Sequence, residues 1–423
     1  MNERLVIVDG IRTPFCKMGT SLATLAADEL GRVAVSALLL RTGLDPALID
    51  EVIFGCVAQP VDSANVARVI ALRAGIPQSV PAVTMHRNCA SGFESFTSAY
   101  ERMAAGRGSV FIVGGAESMS QVPFLFKQST VNKFAAIQRS KSIFQKLGAI
   151  SAFRPADFAP RIGLKLGLSD PVSGLNMGET AEVLAREFAI TREAQDAFAL
   201  RSNERAIAAR EKLAQEITPV YVRGKAITQD NGPRENQSEK ALAALRPVFD
   251  RKFGTVTAGN SSQITDGAVA LLVMTEKRAS ELGYTPLGRL AAYAYSGCDP
   301  ARMGLGPAFA VAKTQRLPGY SMEDADLIEI NEAFAAQVLA VEALMKSDDF
   351  AKSKGLEHAI GEIPQEKLNV NGGAIALGHP VGATGARLIL TALKELQRRN
   401  GKRAMLSLCV GGGQGAVVWV ERM

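Results

Sequence analysis

Aromatics, histidines and cysteines are scarce in this chain. One Trp and six Tyr in 423 residues offer little for stacking on bases. The formal charge of +6 is not gathered into a Lys/Arg run of the nucleic-acid type. Nucleic acid is therefore not an expected partner, and an anionic substrate fits the mild basic excess. The five cysteines, Cys16, Cys56, Cys89, Cys298 and Cys409, are odd in number, widely spaced and free of any CxxC pair. Neither a metal site nor a disulfide framework is indicated, and a reducing, cytoplasmic setting is expected. No apolar run approaches the roughly 20 residues of a membrane-spanning helix. The opening "MNERLVIVDGIRTPF" lacks the parts of a secretory signal and reads as a first strand and turn.

What is present is enough apolar residue, 47%, for two or more sizeable cores. Through the first 120 residues, short strands ("RLVIVDG", "EVIFGCV", "SVFIVGG") alternate with helical patterns near 25–42, 64–75 and 91–105. That alternation predicts an α/β fold. The pattern then recurs. Leu30–Gly31 and Ile53 in "ELGRVAVSALLLRTGLDPALIDEVIFG" match Leu305–Gly306 and Ile328 in "GLGPAFAVAKTQRLPGYSMEDADLIEI" at a constant offset of 275 residues. "CASGFESFTSAYERMAAGRGSVFIVGG" and "GATGARLILTALKELQRRNGKRAMLSLCVGG" form a second matching pair. Two similar αβ halves follow, with a site where equivalent strand ends meet.

Between the halves the character changes. From Gln121 to Ala156 there are six Lys and Arg and no acid. Long helical patterns follow, with Met177, Ala181, Leu184 and Phe188 at helical spacing. This stretch reads as an insertion. The expected organisation is a first half at 1–120 plus 251–275, an inserted, mostly helical loop domain at 121–250, and a second half at 276–423.

Cys89 lies between an apolar run and a helix whose stripe is Phe93, Phe96, Tyr100 and Met103. A thiol there meets the positive end of the helix dipole, which favours its thiolate; a packed core cysteine fits the stretch equally well. A nucleophile needs a base. His86 points away from Cys89 if the segment is extended, and His358 lies in the polar stretch "KSKGLEHAIGE". His379, in the glycine-dense "NVNGGAIALGHPVGATGAR", is left as the best base. Cys409, in the hairpin pattern "LSLCVGGGQGAVVWV", could serve as an acid/base beside backbone N–H groups at Gly411 to Gly413; a buried cysteine is its plain reading. Asn331 and Glu332 follow the strand "LIEI", where polar residues sit awkwardly in a pure core.

These motifs together resemble the thiolase family over nearly the whole chain: "DGIRTPF", "NCASG", "GTVTAGNSSQITDGA", "NEAFA", "GGAIALGHPVGATGAR" and "CVGGGQGA". The resemblance implies a five-layered αβαβα body with a loop domain inserted in the first half. It implies CoA-dependent cleavage of a 3-oxoacyl-CoA, or the reverse Claisen condensation, with coenzyme A as substrate and no metal or other cofactor. Carried over by motif, Cys89 is the acylated nucleophile and His379 its base. Cys409 is the acid/base at the substrate α-carbon. Asn331 would hold a water that forms one oxyanion hole with His379, and the N–H groups of Cys89 and Gly411 would form the other. Ser262 and Ala258 match positions near the pantetheine, and Met177 a residue lining the acyl pocket. The histidine that many members carry before that methionine is Asn176 here.

The resemblance also implies a homodimer or homotetramer. The loop at 126–153 is similar to that of thiolases in fatty-acid oxidation complexes, so a partner subunit or a peripheral membrane contact is an expectation for this basic segment. Two rivals stand beside this reading. One is a ketoacyl-synthase-like condensing enzyme, against which the second cysteine and Asn331 argue. The other is a non-catalytic lipid-binding protein on the same fold, against which Cys89, His379 and Cys409 argue.

Overall fold

The computed structural model describes residues 3–423. The expected strand–helix alternation is present. Strands β1 (Leu5–Arg12), β2 (Glu51–Gly55), β3 (Ala82–Met85), β4 (Val110–Glu117) and β5 (Thr265–Thr275) form one half-sheet. Their order is β3-β2-β4-β5-β1, with the first three parallel and β5 antiparallel to both its neighbours. Strands β6 (Gly288–Gly297), β7 (Leu327–Ile330), β8 (Arg403–Val410) and β9 (Gln414–Arg422) form the other, ordered β7-β8-β9-β6. The directions repeat: β7 and β8 are parallel, and β9 is antiparallel to both neighbours. Where the first half has β3, the second has a parallel bridge between Ile328 and Leu368. The half-sheets join where β1 meets β6 at Val6–Arg289 and Ile7–Gly288.

The principal helices are α1 (Ala27–Thr42), α2 (Val66–Arg73), α3 (Ser91–Ala104), α4 (Gln128–Arg139), α5 (Ile143–Ser151), α6 (Met177–Glu187), α7 (Arg192–Ala208), α8 (Gly306–Thr314), α9 (Ala335–Met345) and α10 (Thr384–Arg399). Strand alternation sorts them into layers. On β5, Ala268, Ala270 and Leu272 pack outward with Leu30, Val35 and Leu38 of α1 and Ile70 of α2. The alternate residues Val269, Leu271 and Val273 pack inward with Phe93 and Phe96 of α3 and Leu388 and Ile389 of α10. On the far side, Val417 and Trp419 of β9 pack with Val311 of α8 and Val338 of α9. The result is the five-layered α/β/α/β/α body, with α3 and α10 in the central layer. Twelve of the sixteen residues of α10 are buried, as a helix between two sheets requires.

The chain divides into two compact units, residues 1–121 with 170–423, and residues 122–169. Residues 170–250 thus belong to the larger unit, although the sequence pattern groups them with the insertion. The reason is local: α6 and α7 bury Ala181, Leu184, Phe198 and Ala199, and Arg12 of β1 pairs with Asp230 and Glu216. The 122–169 unit has a modest core of its own. Rings of Phe126, Phe134, Phe153 and Phe158 follow one another at 4.9–5.7 Å between centroids, and Thr130 is its one buried helix residue in α4 and α5.

Candidate active site

Glycine at the second position of both central helices lets them meet. A Cβ on Gly92 would lie 2.7 Å from the backbone nitrogen of Ala386, and one on Gly385 would lie 2.5 Å from that of Phe93. The first turns of α3 and α10 therefore touch backbone to backbone. Cys89 lies two residues before α3 and His379 five before α10, so the loops bearing them open at the same end of the central layer.

The turn ahead of α3 is tight. Asn88 adopts a left-handed φ of 43°, which asparagine tolerates better than most residues. Its side chain donates to Gly411 O at 2.7 Å, tying the Cys89 turn to the β8–β9 hairpin. The backbone N–H groups of Gly411 and of Cys89 itself favour the Cys89 thiolate. Burial nevertheless pushes this thiol above its ordinary value, and the two N–H groups offset only part of that effect. Desolvation is the larger effect and favours the neutral thiol at rest. A base must take the proton.

His379 answers that need. It is 8% exposed, whereas His86 and His358 are exposed. Its backbone N–H donates to Thr265 Oγ1 at 3.1 Å, and Gly378 before it has a φ of 97°, where other residues are strained. The ring Nδ1 lies 2.6 Å from Thr384 Oγ1, whose hydroxyl donates to Pro380 O at 3.1 Å. A hydroxyl has one proton to donate, so it accepts from Nδ1–H. The tautomer inferred from this network leaves the Nε2 lone pair free. Nε2 is buried and makes no hydrogen bond within the chain. Burial first, then the charge of Arg387, lowers this imidazole from 6.5 to about 4, so it is uncharged at neutral pH.

Cys409 is fully buried near the end of β8. Burial, followed by the neighbouring Cys89, pushes its thiol well above the ordinary range. It is therefore a thiol, able to donate a proton. The glycines beyond it turn the chain, Gly412 and Gly413 having φ of 87° and 80°. Asn331 extends the parallel β7–β8 pairing, its N–H donating to Ser407 O at 2.9 Å. Both its side-chain polar atoms are buried and make no hydrogen bond within the chain, a costly state unless a ligand or water uses them. Glu332 beside it accepts from Ser202, Asn369 and the N–H of Ile375. It thereby pins the loop that leads to His379.

Met177 opens α6 and packs in one cluster with Cys409; a Cβ on Gly411 would lie 3.3 Å from its sulfur. Asn176 caps α6, accepting from Glu179 N at 3.0 Å while Glu179 accepts from its N–H at 2.7 Å. The departure from histidine at this position thus has a structural use. Ser262 is partly buried and its N–H donates to Ala333 O at 2.9 Å, while Ala258 is exposed. Neither touches the two thiols or His379 through any hydrogen bond. A cavity of about 590 Å³ lies away from these residues, lined by Asp9, Arg41, Tyr284 and Lys394 among others.

Two supporting residues escape the motif reading. Glu117, fully buried at the end of β4, accepts from the N–H groups of Val57, Ala58 and Gly382 at 2.8–3.0 Å. It fastens the loop after β2 to the loop after His379. A carboxylate ending the apolar run "VFIVGGAE" was the available signal. Thr384, which orients His379, looks like any small residue of "GATGAR". Among the described residues no group of three or more His, Cys, Asp and Glu is placed to hold a metal ion.

Two family profiles match the chain: "Thiolase, N-terminal domain" over residues 5–277 and "Thiolase, C-terminal domain" over 284–422. A 3-ketoacyl-CoA thiolase of Serratia proteamaculans is 41% identical over 99% of this chain and 97% of its own length. One from Aliivibrio fischeri is 40% identical over 99% and 96%. Among solved structures, the Bacillus anthracis acetyl-CoA acetyltransferase superposes with a TM-score of 0.86 at 37% identity, covering 100% of this chain and 99% of that one. Human mitochondrial 3-ketoacyl-CoA thiolase in complex with CoA gives 0.85 at 36%, covering 100% and 98%.

Proposed function

The chain belongs to the thiolase family, and from that premise we propose how its residues cleave a 3-oxoacyl-CoA with CoA, or condense two acyl-CoAs in reverse. The Cys89 proton passes to Nε2 of His379, and the thiolate attacks the 3-oxo carbon. Cleavage of the C2–C3 bond leaves an acyl group on Cys89 and an acetyl-CoA enolate, which takes the proton of Cys409. CoA then gives its thiol proton to the Cys409 thiolate and attacks the acyl-cysteine. The released Cys89 thiolate recovers its proton from His379. All protons and both acyl fragments are accounted for, and the same steps reversed give condensation.

Oxyanion stabilisation comes from fixed donors. The N–H groups of Cys89 and Gly411 face one carbonyl oxygen. Asn331 and His379 serve the other through a water held on the free Asn331 amide. Met177 lines the acyl pocket, with Ser262 and Ala258 along the pantetheine. The single observation that carries this reading is the Asn88 side chain tying the Cys89 turn to Gly411 of the hairpin that bears the buried thiol of Cys409. The test is to incubate the enzyme with an acyl-CoA and digest it. Mass spectrometry should find the acyl group on the Cys89 peptide and none in Cys89→Ser; acylation elsewhere defeats the assignment. The ketoacyl-synthase and non-catalytic readings are not favoured, since profiles and relatives alike are thiolases.

The 122–169 unit supports a second proposal, a docking face within a homo-oligomer, on a fatty-acid oxidation partner subunit, or on a membrane. It holds eight Lys and Arg and one Asp, so it carries +7 and the rest of the chain −1. Twelve large apolar residues are exposed on it, Phe144 at 82% among them. We keep 121–250 as the proposed insertion, with 122–169 as its separately folded part and the two halves bounded as the motifs suggest.

A further inference from the structure

The run "TVTAGNSS", residues 255–262, is largely buried yet is neither helix nor strand. Irregular buried backbone must find its hydrogen bonds outside a ladder, and here side chains supply them. Glu182 of α6 accepts from the N–H groups of Thr255 and Val256 at 2.9–3.0 Å. Thr257 Oγ1 accepts from Gly259 N at 3.1 Å, and Ser261 Oγ donates to Thr257 O at 2.7 Å. Asn260 does the most. It is 0% exposed. Its Oδ1 accepts from Thr257 N at 2.7 Å, and its Nδ2 donates to Asp196 Oδ1 at 2.9 Å and to Thr255 O at 3.1 Å. One donor and two acceptors surround the amide, so a single orientation satisfies all three. Asp196, in α7, is held at its other oxygen by Arg192 Nε at 2.7 Å. Arg192 is held in turn, its Nη2 donating to Leu242 O at 2.6 Å and Leu245 O at 3.1 Å.

The placement of this anchor points to a use. Ala258 and Ser262 lie two residues to either side of Asn260, the first exposed and the second partly so. The opposite edge of the loop meets the chain that carries Asn331. Ser261 and Phe334 form an antiparallel bridge, in which Ala335 N donates to Asn260 O and Ser262 N to Ala333 O, both at 2.9 Å. Asn260 therefore bonds through its side chain to α7 and through its backbone to the segment after β7. It fixes where Ala258 and Ser262 stand relative to Asn331.

We propose that Asn260, locked by Asp196, is a positioning residue for the reaction: it holds the loop on which Ser262 and Ala258 meet the pantetheine, and so aims the CoA thiol at acyl-Cys89. The inference rests on the CoA contacts proposed for Ser262 and Ala258, so the test separates the two. Cys89 is acetylated with excess acetyl-CoA and the protein desalted. Loss of the acetyl group from the Cys89 peptide is then followed by mass spectrometry with CoA or with 2-mercaptoethanol, which has no pantetheine arm. Wild type should release the group faster to CoA; failure there defeats the proposed CoA contacts themselves, before any variant is compared.

Asn260→Asp keeps the acceptor for Thr257 N but sets a carboxylate against Asp196 and Thr255 O. The ratio of the CoA rate to the 2-mercaptoethanol rate should fall by on the order of 10-fold or more. Asp196→Asn/Asn260→Asp reverses donor and acceptor while still serving Arg192, and should return the ratio toward the wild-type value. A purely structural role would lower both rates together and leave the ratio alone. An unchanged ratio in folded Asn260→Asp, or a reversed pair whose ratio stays as low as the single variant's, overturns the proposal. Where Asn260→Asp does not fold, Asp196→Asn replaces it, since it turns one of two needed acceptors into a donor. Unfolding of both single variants overturns the positioning role in favour of a structural anchor.

Discussion

Gly385→Ala is the smallest change that should separate the two halves of the site. The added Cβ would lie 2.5 Å from Phe93 N and 3.0 Å from Gly92 C. Ordinary contact begins near 3.4 Å, so the first turns of α3 and α10 must part by about 0.9 Å. The obstacle is backbone on a central helix, not the end of a flexible side chain. Overpacking of this kind costs about 1–3 kcal/mol, which a body of this size survives. The effect on chemistry is larger, because a displacement of about 1 Å between reacting groups costs on the order of 100-fold in rate. Single-turnover acylation of Cys89 followed by mass spectrometry, with thermal unfolding alongside, measures both. Gly148→Ala, inside α5 where a Cβ meets nothing within 4 Å, is the control and should leave acylation unchanged and stability no lower. Wild-type acylation by folded Gly385→Ala would refute the claim that this contact sets the distance between the Cys89 and His379 loops.

Three further outcomes are expected. Thr384→Val removes the acceptor for His379 Nδ1–H; acylation should slow by up to about 100-fold with about 1–3 kcal/mol lost for the unpaired donor, and a wild-type rate would contradict the tautomer assigned to His379. His379 is lowered from 6.5 to about 4 in the fold, so the unfolded chain binds more protons in that window; stability should be complete above pH 6.5 and fall by about 3 kcal/mol towards pH 4. Urea unfolding at several pH values reads this, and His379→Gln should flatten the slope. Phe144→Asp with Lys146→Glu should weaken self-association, salt-sensitive flotation with anionic vesicles or co-elution with a partner subunit while leaving thiolysis intact; native protein that shows none of the three dismisses the docking face.

Much of this was legible in the sequence because the signals were local or repeated. The offset of 275 residues tied Ile53 to Ile328, and these occupy equivalent strands, β2 and β7. The stripe Phe93–Phe96–Met103 marked α3, and the glycine-dense run around Gly411 marked a hairpin. What stayed hidden depends on contacts between distant segments. Nothing near Gly385 in sequence shows that Phe93 lies against it. The thiol of Cys89 sits at a helix start, yet its burial, a tertiary property, decides the direction of its shift. Glu329 and Arg387 are 58 residues apart, and each alone reads as a surface charge. Helical periodicity pointed to α6 but not to the unit it joins, because that depends on what its apolar face meets.

The central claim is a two-thiol thiolysis with Cys89 as acyl carrier and Cys409 as acid/base. CoA-dependent cleavage of acetoacetyl-CoA and of a longer 3-oxoacyl-CoA, by wild type, Cys89→Ala and Cys409→Ala, tests it most directly. The account predicts cleavage by wild type, loss in both variants, and a substrate ratio that reports the depth of the pocket beside Met177. Full activity in either folded variant, or a folded wild type inactive on both substrates, would contradict it.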